Sequence, residues 1–160
     1  MISHIDIAVN TQTGDGWTAL ITASRSGHDS VVNLLLCRTD IAFNTQRGNG
    51  WTALIAASRY GHDSVVNLLL SRKDIAVNTQ TGDGWTALIT ASRFGRDSIV
   101  NLLLSRTDIA FDTQTGNGWT ALTAAYRFGH DSVVNLTQRQ TKEGKRARSA
   151  AFHNGQGVIN

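Results

Sequence analysis

The chain alternates short apolar stretches with polar segments, and the spacing of the apolar positions predicts helices. The first stretch places Ala19, Leu20 and Ala23 at helical spacing, which predicts a short helix with a face of small side chains. Thr18 is suited to accept a hydrogen bond from the first turn of this helix. Gly27 is suited to the left-handed conformation that ends a helix.

A second apolar stretch and a polar loop follow. Residues 29–36 are apolar around most of a helical circumference and begin with Asp29, whose charge suits a helix N-terminus. This composition predicts a helix that is buried on several sides. Residues 39–50 are rich in Asp, Asn, Gln and Gly and end in Gly48-Asn49-Gly50, which predicts a projecting loop with a tight turn.

This pattern of two helices and a loop repeats along the chain. The tryptophans lie 34 residues apart, at Trp17, Trp51, Trp85 and Trp119. Residues 6–25 and 74–93 are identical at every position, whereas residues 40–59 and 108–127 differ at four. A fixed period of this length indicates a solenoid in which each unit stacks on its neighbours.

A period of 34 residues is also that of tetratricopeptide repeats, whose opening pattern Trp17-x-x-Leu20 matches. Those repeats fill the period with two longer helices, whereas here roughly a dozen residues per unit form a polar loop. The Gly expected after Leu20 is Ile21, and the chain contains no proline. The segment lengths therefore argue against that family.

The units resemble ankyrin repeats. The resemblance rests on residues 50–62, GWTALIAASRYGH, and on residues 65–70, VVNLLL, and it recurs in register over residues 6–136. It implies an all-α ankyrin-repeat solenoid of helix-turn-helix units with β-finger loops. The expected units are residues 6–39, 40–73, 74–107 and 108–136.

Two positions depart from the family pattern. The usual proline is replaced by alanine in every unit, at Ala19, Ala53, Ala87 and Ala121. The usual histidine, which links neighbouring units by hydrogen bonds in the family, is replaced by Ile21, Ile55, Ile89 and Thr123. We therefore expect this array to depend more on apolar packing and less on that ladder of hydrogen bonds.

The ends of the chain suggest a boundary at residue 136. We expect residues 1–136 to form the array and residues 137–160 to form a basic, polar and disordered tail. Neither terminal unit shows the polar outer face of a capping repeat, which raises the hypothesis that the chain is a piece of a longer array. Self-association through the uncapped ends is a further expectation.

Charge is concentrated in the tail. Residues 137–160 hold five basic and one acidic residue, a net charge of +4, and the other ten basic and eleven acidic residues give −1. The charge of the body therefore gives no support for binding to nucleic acid or membranes. The basic stretch at residues 142–148 leaves one alternative function, a nucleic-acid-binding or nuclear-targeted adaptor that uses the tail.

Chemistry and compartment are also constrained. Cys37 is the single cysteine, and the chain does not start with a secretory leader pattern, so we expect an intracellular protein, cytoplasmic or nuclear. The recurring Asp29-Ser30 pair has no adjacent base, and Gly14-x-Gly16 lacks the context of a phosphate loop. His28, His62 and His130 are a full repeat or more apart, too far to share a metal ion. We expect neither catalysis nor a cofactor, metal or small-molecule substrate.

The resemblance to ankyrin repeats implies binding of a partner protein or peptide on the concave surface formed by finger tips and inner helices. The candidate contact residues at the matching positions are Trp17, Arg25, Ser26, Asn49, Trp51, Arg59, Tyr60, Asp83, Trp85, Arg93, Phe94, Asn117, Trp119, Arg127 and Phe128. Tryptophan, tyrosine and arginine often dominate binding energy, and such a groove suits a peptide with apolar and acidic groups. The alternative is that the tryptophans pack finger against finger while the arginine stems cover apolar surface.

Overall fold

The computed structural model describes the chain from residue 8 to residue 154, with side chains described from residue 8 to residue 142. The first seven residues of the expected array and residues 155–160 of the expected tail lie outside this part. Within it the helices are α1 (Ala19–Ser26), α2 (Asp29–Leu36), α3 (Ala53–Tyr60), α4 (Asp63–Leu70), α5 (Ala87–Arg93), α6 (Asp97–Leu104), α7 (Ala121–Arg127) and α8 (Asp131–Asn154).

The helices form two parallel layers. The inner helices α1, α3, α5 and α7 pack against one another in chain order, the outer helices α2, α4, α6 and α8 do the same, and each inner helix packs against the outer helix that follows it. The core lies between the layers and between successive units. The all-α solenoid of four helix pairs predicted from the repeat is confirmed.

The inner helices begin at the predicted caps. The side chain of Thr18 accepts a hydrogen bond from the backbone N–H of Ile21, and the equivalent threonines cap α3, α5 and α7 in the same way. Gly27 and Gly61 end α1 and α3 in the left-handed conformation, with φ of 70° and 78°. Each outer helix begins at an aspartate, where the negative charge favours the helix N-terminus.

The finger loops are tight turns in the structure. In the first finger the N–H of Thr13 donates to the carbonyl of Trp17 at 2.9 Å, and the N–H of Gly16 donates to the carbonyl of Thr13 at 2.8 Å. No strand is assigned in residues 8–154, so the expected β-fingers are hairpin-like turns without a sheet ladder. The finger tips of units two and three are joined by a bond of 3.0 Å from the N–H of Gly82 to the carbonyl of Asn49.

Hydrogen bonds link successive units in a regular ladder. They lie at positions other than that of the histidine that usually links units in the family. Nε2 of His62 lies 2.9 Å from the carbonyl oxygen of Arg25, one unit earlier, and His130 bonds the Arg93 carbonyl in the same way. In the third unit Arg96 takes this role and donates to the carbonyl of Arg59 at 3.3 Å. The expected dependence on apolar packing is therefore supplemented by this regular set of polar contacts.

Asparagines link the loops of adjacent units. Asn44 donates from Nδ2 to the carbonyl of Asp74 at 2.8 Å and accepts from the N–H of Ala76 at 2.9 Å. The same pair of bonds recurs at Asn10 and Asn78. These contacts fix the fingers relative to one another and so position the concave surface.

The structure differs from the expected disordered tail. Helix α8 does not end near residue 136 but continues to Asn154, so the part of the tail that the structure describes is helical. The polar composition favoured disorder, but Gln, Lys, Arg and Ala, which are frequent here, also have high helix propensity. Thr137, where other units have leucine, is buried and donates its hydroxyl to the carbonyl of Val133 at 2.9 Å.

Candidate functional site

A groove runs along the concave side, between the fingers and the inner helices. Between units two and three it deepens into a cavity of about 280 Å³, lined by Asn49, Trp51, Arg59, Thr81, Gly82, Asp83, Trp85, Thr90, Arg93 and Phe94. Between units one and two lies a cavity of about 250 Å³, lined by Trp17, Ile21, Arg25, Arg47, Asn49, Trp51, Ala56, Arg59 and Tyr60. The two cavities share Asn49, Trp51 and Arg59, so they form one continuous groove.

An alternating row of arginine and aromatic side chains covers the groove. The guanidinium carbon of Arg59 lies 5.4 Å from the ring centre of Trp51, in its own unit, and 4.9 Å from that of Phe94, in the next unit. Arg93 lies in the same way between Trp85, at 5.0 Å, and Phe128, at 5.1 Å. Each of these arginines therefore bridges two units through the faces of aromatic rings.

The same arrangement continues at both ends of the groove. Arg25 lies 5.2 Å from the ring centre of Trp17 and 5.4 Å from that of Tyr60, while Arg127 lies 5.3 Å from Trp119. We call the complete set the arginine–aromatic ladder. Its members are Trp17, Arg25, Trp51, Arg59, Tyr60, Trp85, Arg93, Phe94, Trp119, Arg127 and Phe128.

The tryptophans have a structural role in addition to their place in the groove. All four are partly buried and pack against the core. The rings of Trp85 and Trp119 meet edge to face, with centres 6.1 Å apart and planes at 69°. This contact supports the alternative that the tryptophans pack finger against finger. One tryptophan side chain is able to have this structural role and also to contact a partner in the groove.

The guanidinium groups of the ladder have no carboxylate partner among the described side chains. The two ion pairs found there, Arg38–Asp40 at 2.7 Å and Arg106–Asp108 at 2.8 Å, lie outside the groove. An arginine stacked on a ring uses the face of its guanidinium and keeps the N–H groups in the plane free to donate. The groove therefore offers a row of guanidinium groups that form no ion pair, beside apolar rings, with the carboxylate of Asp83 also in the lining of the cavity between units two and three.

Tyr60 shows the electrostatic effect of this row. Nε of Arg25 donates to the Tyr60 hydroxyl at 3.4 Å. This hydrogen bond, together with the positive charges of Arg25 and Arg59, lowers the pKa of the Tyr60 phenol below its usual value, against the opposing effect of partial burial.

Replacing Arg25 with methionine is expected to raise the pKa of Tyr60, because the hydrogen bond and the nearest positive charge are lost. The measurement is the absorbance of tyrosinate as a function of pH in a Tyr126→Phe background, where Tyr60 is the remaining tyrosine of the two. Arg93→Met is the matched control, because Arg93 stacks on Phe94 and Phe128 instead. An unchanged midpoint in Arg25→Met would contradict this electrostatic description of the groove.

The structure brings together most, but not all, of the residues predicted for the site. Ser26 is exposed and lines neither cavity, whereas Asn117 is exposed at a finger tip and lines a shallow depression with Asp83 and Trp85 of the central cavity. Arg47 was missed: its guanidinium lies 4.1 Å from the ring centre of Trp17, and its Nε donates to the carbonyl of Asp15 at 3.1 Å. Its signal in the sequence is that the other units have threonine at this position.

The repeat is also recognised by comparison with known proteins. Residues 1–81 and 73–147 match the family profile described as "Ankyrin repeats (3 copies)". The chain belongs to the ankyrin repeat family. No curated protein is a significant match to the chain. Ankyrin repeats are generally protein–protein interaction modules, and the family is typically non-enzymatic.

Among the residues that the structure describes, no three His, Cys, Asp or Glu side chains form a cluster able to hold a metal ion. Within the same part of the chain, no helix combines the length and the apolar character needed to cross a membrane.

Proposed function

We propose that this ankyrin array binds a segment of a partner protein in the concave groove, and that the arginine–aromatic ladder makes the main contacts. The observation that carries the proposal is the row of arginines, which have no carboxylate partner within the described residues and of which Arg25, Arg59 and Arg93 are each stacked between aromatic rings of two units. Arginine, tryptophan and tyrosine are enriched among the residues that dominate interface energies.

The chemistry of the groove favours a partner with acidic and apolar side chains. Stacking holds each guanidinium in place, so little side-chain entropy is lost when its N–H groups bind a carboxylate. The rings beside it, such as Trp51 and Phe94, offer apolar surface to a neighbouring side chain. Hydrogen bonds to charged groups contribute about 1.5–3 kcal/mol each when water is excluded from the contact.

The repeat also sets the spacing of the partner's residues. Successive units are about 10 Å apart, the usual distance between packed helices. A peptide in the polyproline II conformation has three residues per turn and advances about 3.1 Å per residue, so every third side chain lies on the same face and would meet an equivalent position in the next unit. We therefore propose a segment in this conformation with acidic residues at intervals of three, separated by apolar residues. The 34-residue period continues from unit to unit, which supports a regular spacing of the partner's contact residues.

The test is a selection from a random peptide library on the immobilised protein. Enrichment of peptides with acidic residues at intervals of three is the expected result. The double variant Arg59→Ala/Tyr60→Ala should bind the selected peptides at least about tenfold more weakly, because it removes the central contact shared by both cavities. Isothermal titration calorimetry measures the change.

The control places two alanines on the opposite surface. Asn67→Ala/Asn101→Ala alters exposed side chains of the outer helices α4 and α6 and should leave the affinity unchanged. Circular dichroism must show the same helicity for both double variants. Equal affinity of the wild-type chain and Arg59→Ala/Tyr60→Ala would move the binding site out of the groove.

A further inference from the structure

The first unit exposes a surface that the other units bury. Val31 is 45% exposed, whereas the equivalent Val65, Ile99 and Val133 are each 0% exposed, because a preceding unit covers them. Ala19 and Thr22 are exposed in the first unit, and their counterparts in units two to four are buried. We call this surface the leading face; its members are Ala19, Thr22, Val31 and Leu34, which is 70% exposed.

The fourth unit exposes the opposite surface, which in units one to three packs against the unit that follows. On this surface the fourth unit has different residues at positions that are buried in the first unit. Ser24 is 0% exposed, but its counterpart Tyr126 is 77% exposed. Thr123 and Gln138 are also exposed and take the places of the buried Ile21 and Leu36. We call Thr123, Tyr126 and Gln138 the trailing face.

A tyrosine at position 126 is incompatible with a following unit. The hydroxyl groups of Ser24, Ser58 and Ser92 are buried and have no hydrogen-bond partner, so these serines are enclosed where successive units meet. Interiors packed at this density do not accept an added ring without large shifts of the surrounding chain. Tyr126 therefore occupies space that the next unit would need.

Helix α7 also has local stabilisation that the other inner helices lack. The Thr123 hydroxyl accepts from the N–H of Thr120 at 2.8 Å, and the Thr120 hydroxyl accepts from the N–H of Thr123 at 3.2 Å. This reciprocal capping box is possible because Thr123 replaces the isoleucine of the other units. The fourth unit thus stabilises its own inner helix where no later helix pair packs against it in the described residues.

We propose that Tyr126, supported by Thr123 and Gln138, prevents a second copy of this chain from stacking its leading face on the trailing face. The two faces are those that meet in the three contacts between units within the chain, so without these residues they would be complementary. Head-to-tail contacts of this kind, repeated from copy to copy, would build filaments unless the rotation between copies closes a ring.

The test restores the residues of the first unit. Tyr126→Ser alone, which replaces an exposed side chain, should already associate, and Thr123→Ile/Tyr126→Ser/Gln138→Leu should associate at least about tenfold more tightly than the wild-type chain. Sedimentation velocity over a wide range of concentration measures the average mass. The wild-type chain should keep the mass of one copy.

Two further variants identify the surfaces involved. Adding Val31→Glu/Leu34→Glu on the leading face should return the triple variant to the mass of one copy. Tyr126→Phe keeps the ring and should not associate. The proposal is overturned if the triple variant is helical by circular dichroism and remains a single copy, or if its association survives the two glutamates. Should the triple variant fail to fold, a single-copy mass for Tyr126→Ser overturns it.

Discussion

Replacing Leu88 with alanine is expected to lower the free energy of unfolding by about 2–5 kcal/mol, because the substitution leaves a cavity in a closely packed core. Leu88 is 1% exposed, and its helix α5 packs against α3, α6 and α7. Truncation of the Leu88 side chain would remove packing contacts through which neighbouring units stabilise one another. Urea denaturation followed by circular dichroism measures the change.

Leu122→Ala is the matched control for this prediction. Leu122 has the same position in the fourth unit as Leu88 in the third, but it is only partly buried because no further unit covers it within the described chain. Its replacement should cost about half as much or less, in proportion to the smaller apolar area removed from water. Equal losses at the two positions would contradict the conclusion that packing between units supplies the stability of the array.

Replacing Gly84 with alanine is expected to lower the free energy of unfolding by about 2–5 kcal/mol. Gly84 has a φ of +83°, which costs an L-residue about 1–2 kcal/mol. A Cβ at this position would also lie 2.9 Å from both the backbone nitrogen of Gly116 and the Cα of Thr115 in the next finger. This overlap with backbone adds about 1–3 kcal/mol and would push the fingers apart.

The fourth finger provides a control with the same backbone conformation. Gly118 has a φ of +77°, and nothing lies within 4 Å of an added Cβ. Gly118→Ala should therefore cost only the strain of the left-handed conformation, about 1–2 kcal/mol. Both variants can be compared by thermal denaturation. A loss at Gly118 as large as that at Gly84 would show that close contact between fingers contributes nothing.

The helix pairs could be predicted because their signals are local. Threonine caps, glycine ends and apolar spacing define α1 and α2 within their own residues, and the fixed period carries this result along the chain. The end of α8 was missed because the same polar residues are typical of a solvated helix and of a disordered tail. Composition alone does not separate these two states.

The site could be predicted only in part, since its geometry depends on how units stack. The repeat identified Arg59 and Phe94 as candidates, but only the structure places this arginine against a ring of the following unit. Arg47 was missed because it occurs once, and attention to the repeat favours residues that recur. The meaning of Tyr126 depends on knowing which face its position presents to a neighbour.

A partner segment is proposed to bind along the arginine–aromatic ladder. The most direct test is to follow the four indole N–H signals in nuclear magnetic resonance spectra of the ¹⁵N-labelled chain while a library-selected peptide is added. Because Trp51 and Trp85 line the central cavity, their indole signals are predicted to shift in proportion to the peptide bound. Saturating binding that leaves these two signals unchanged, with backbone shifts confined to the outer helices, would contradict the account.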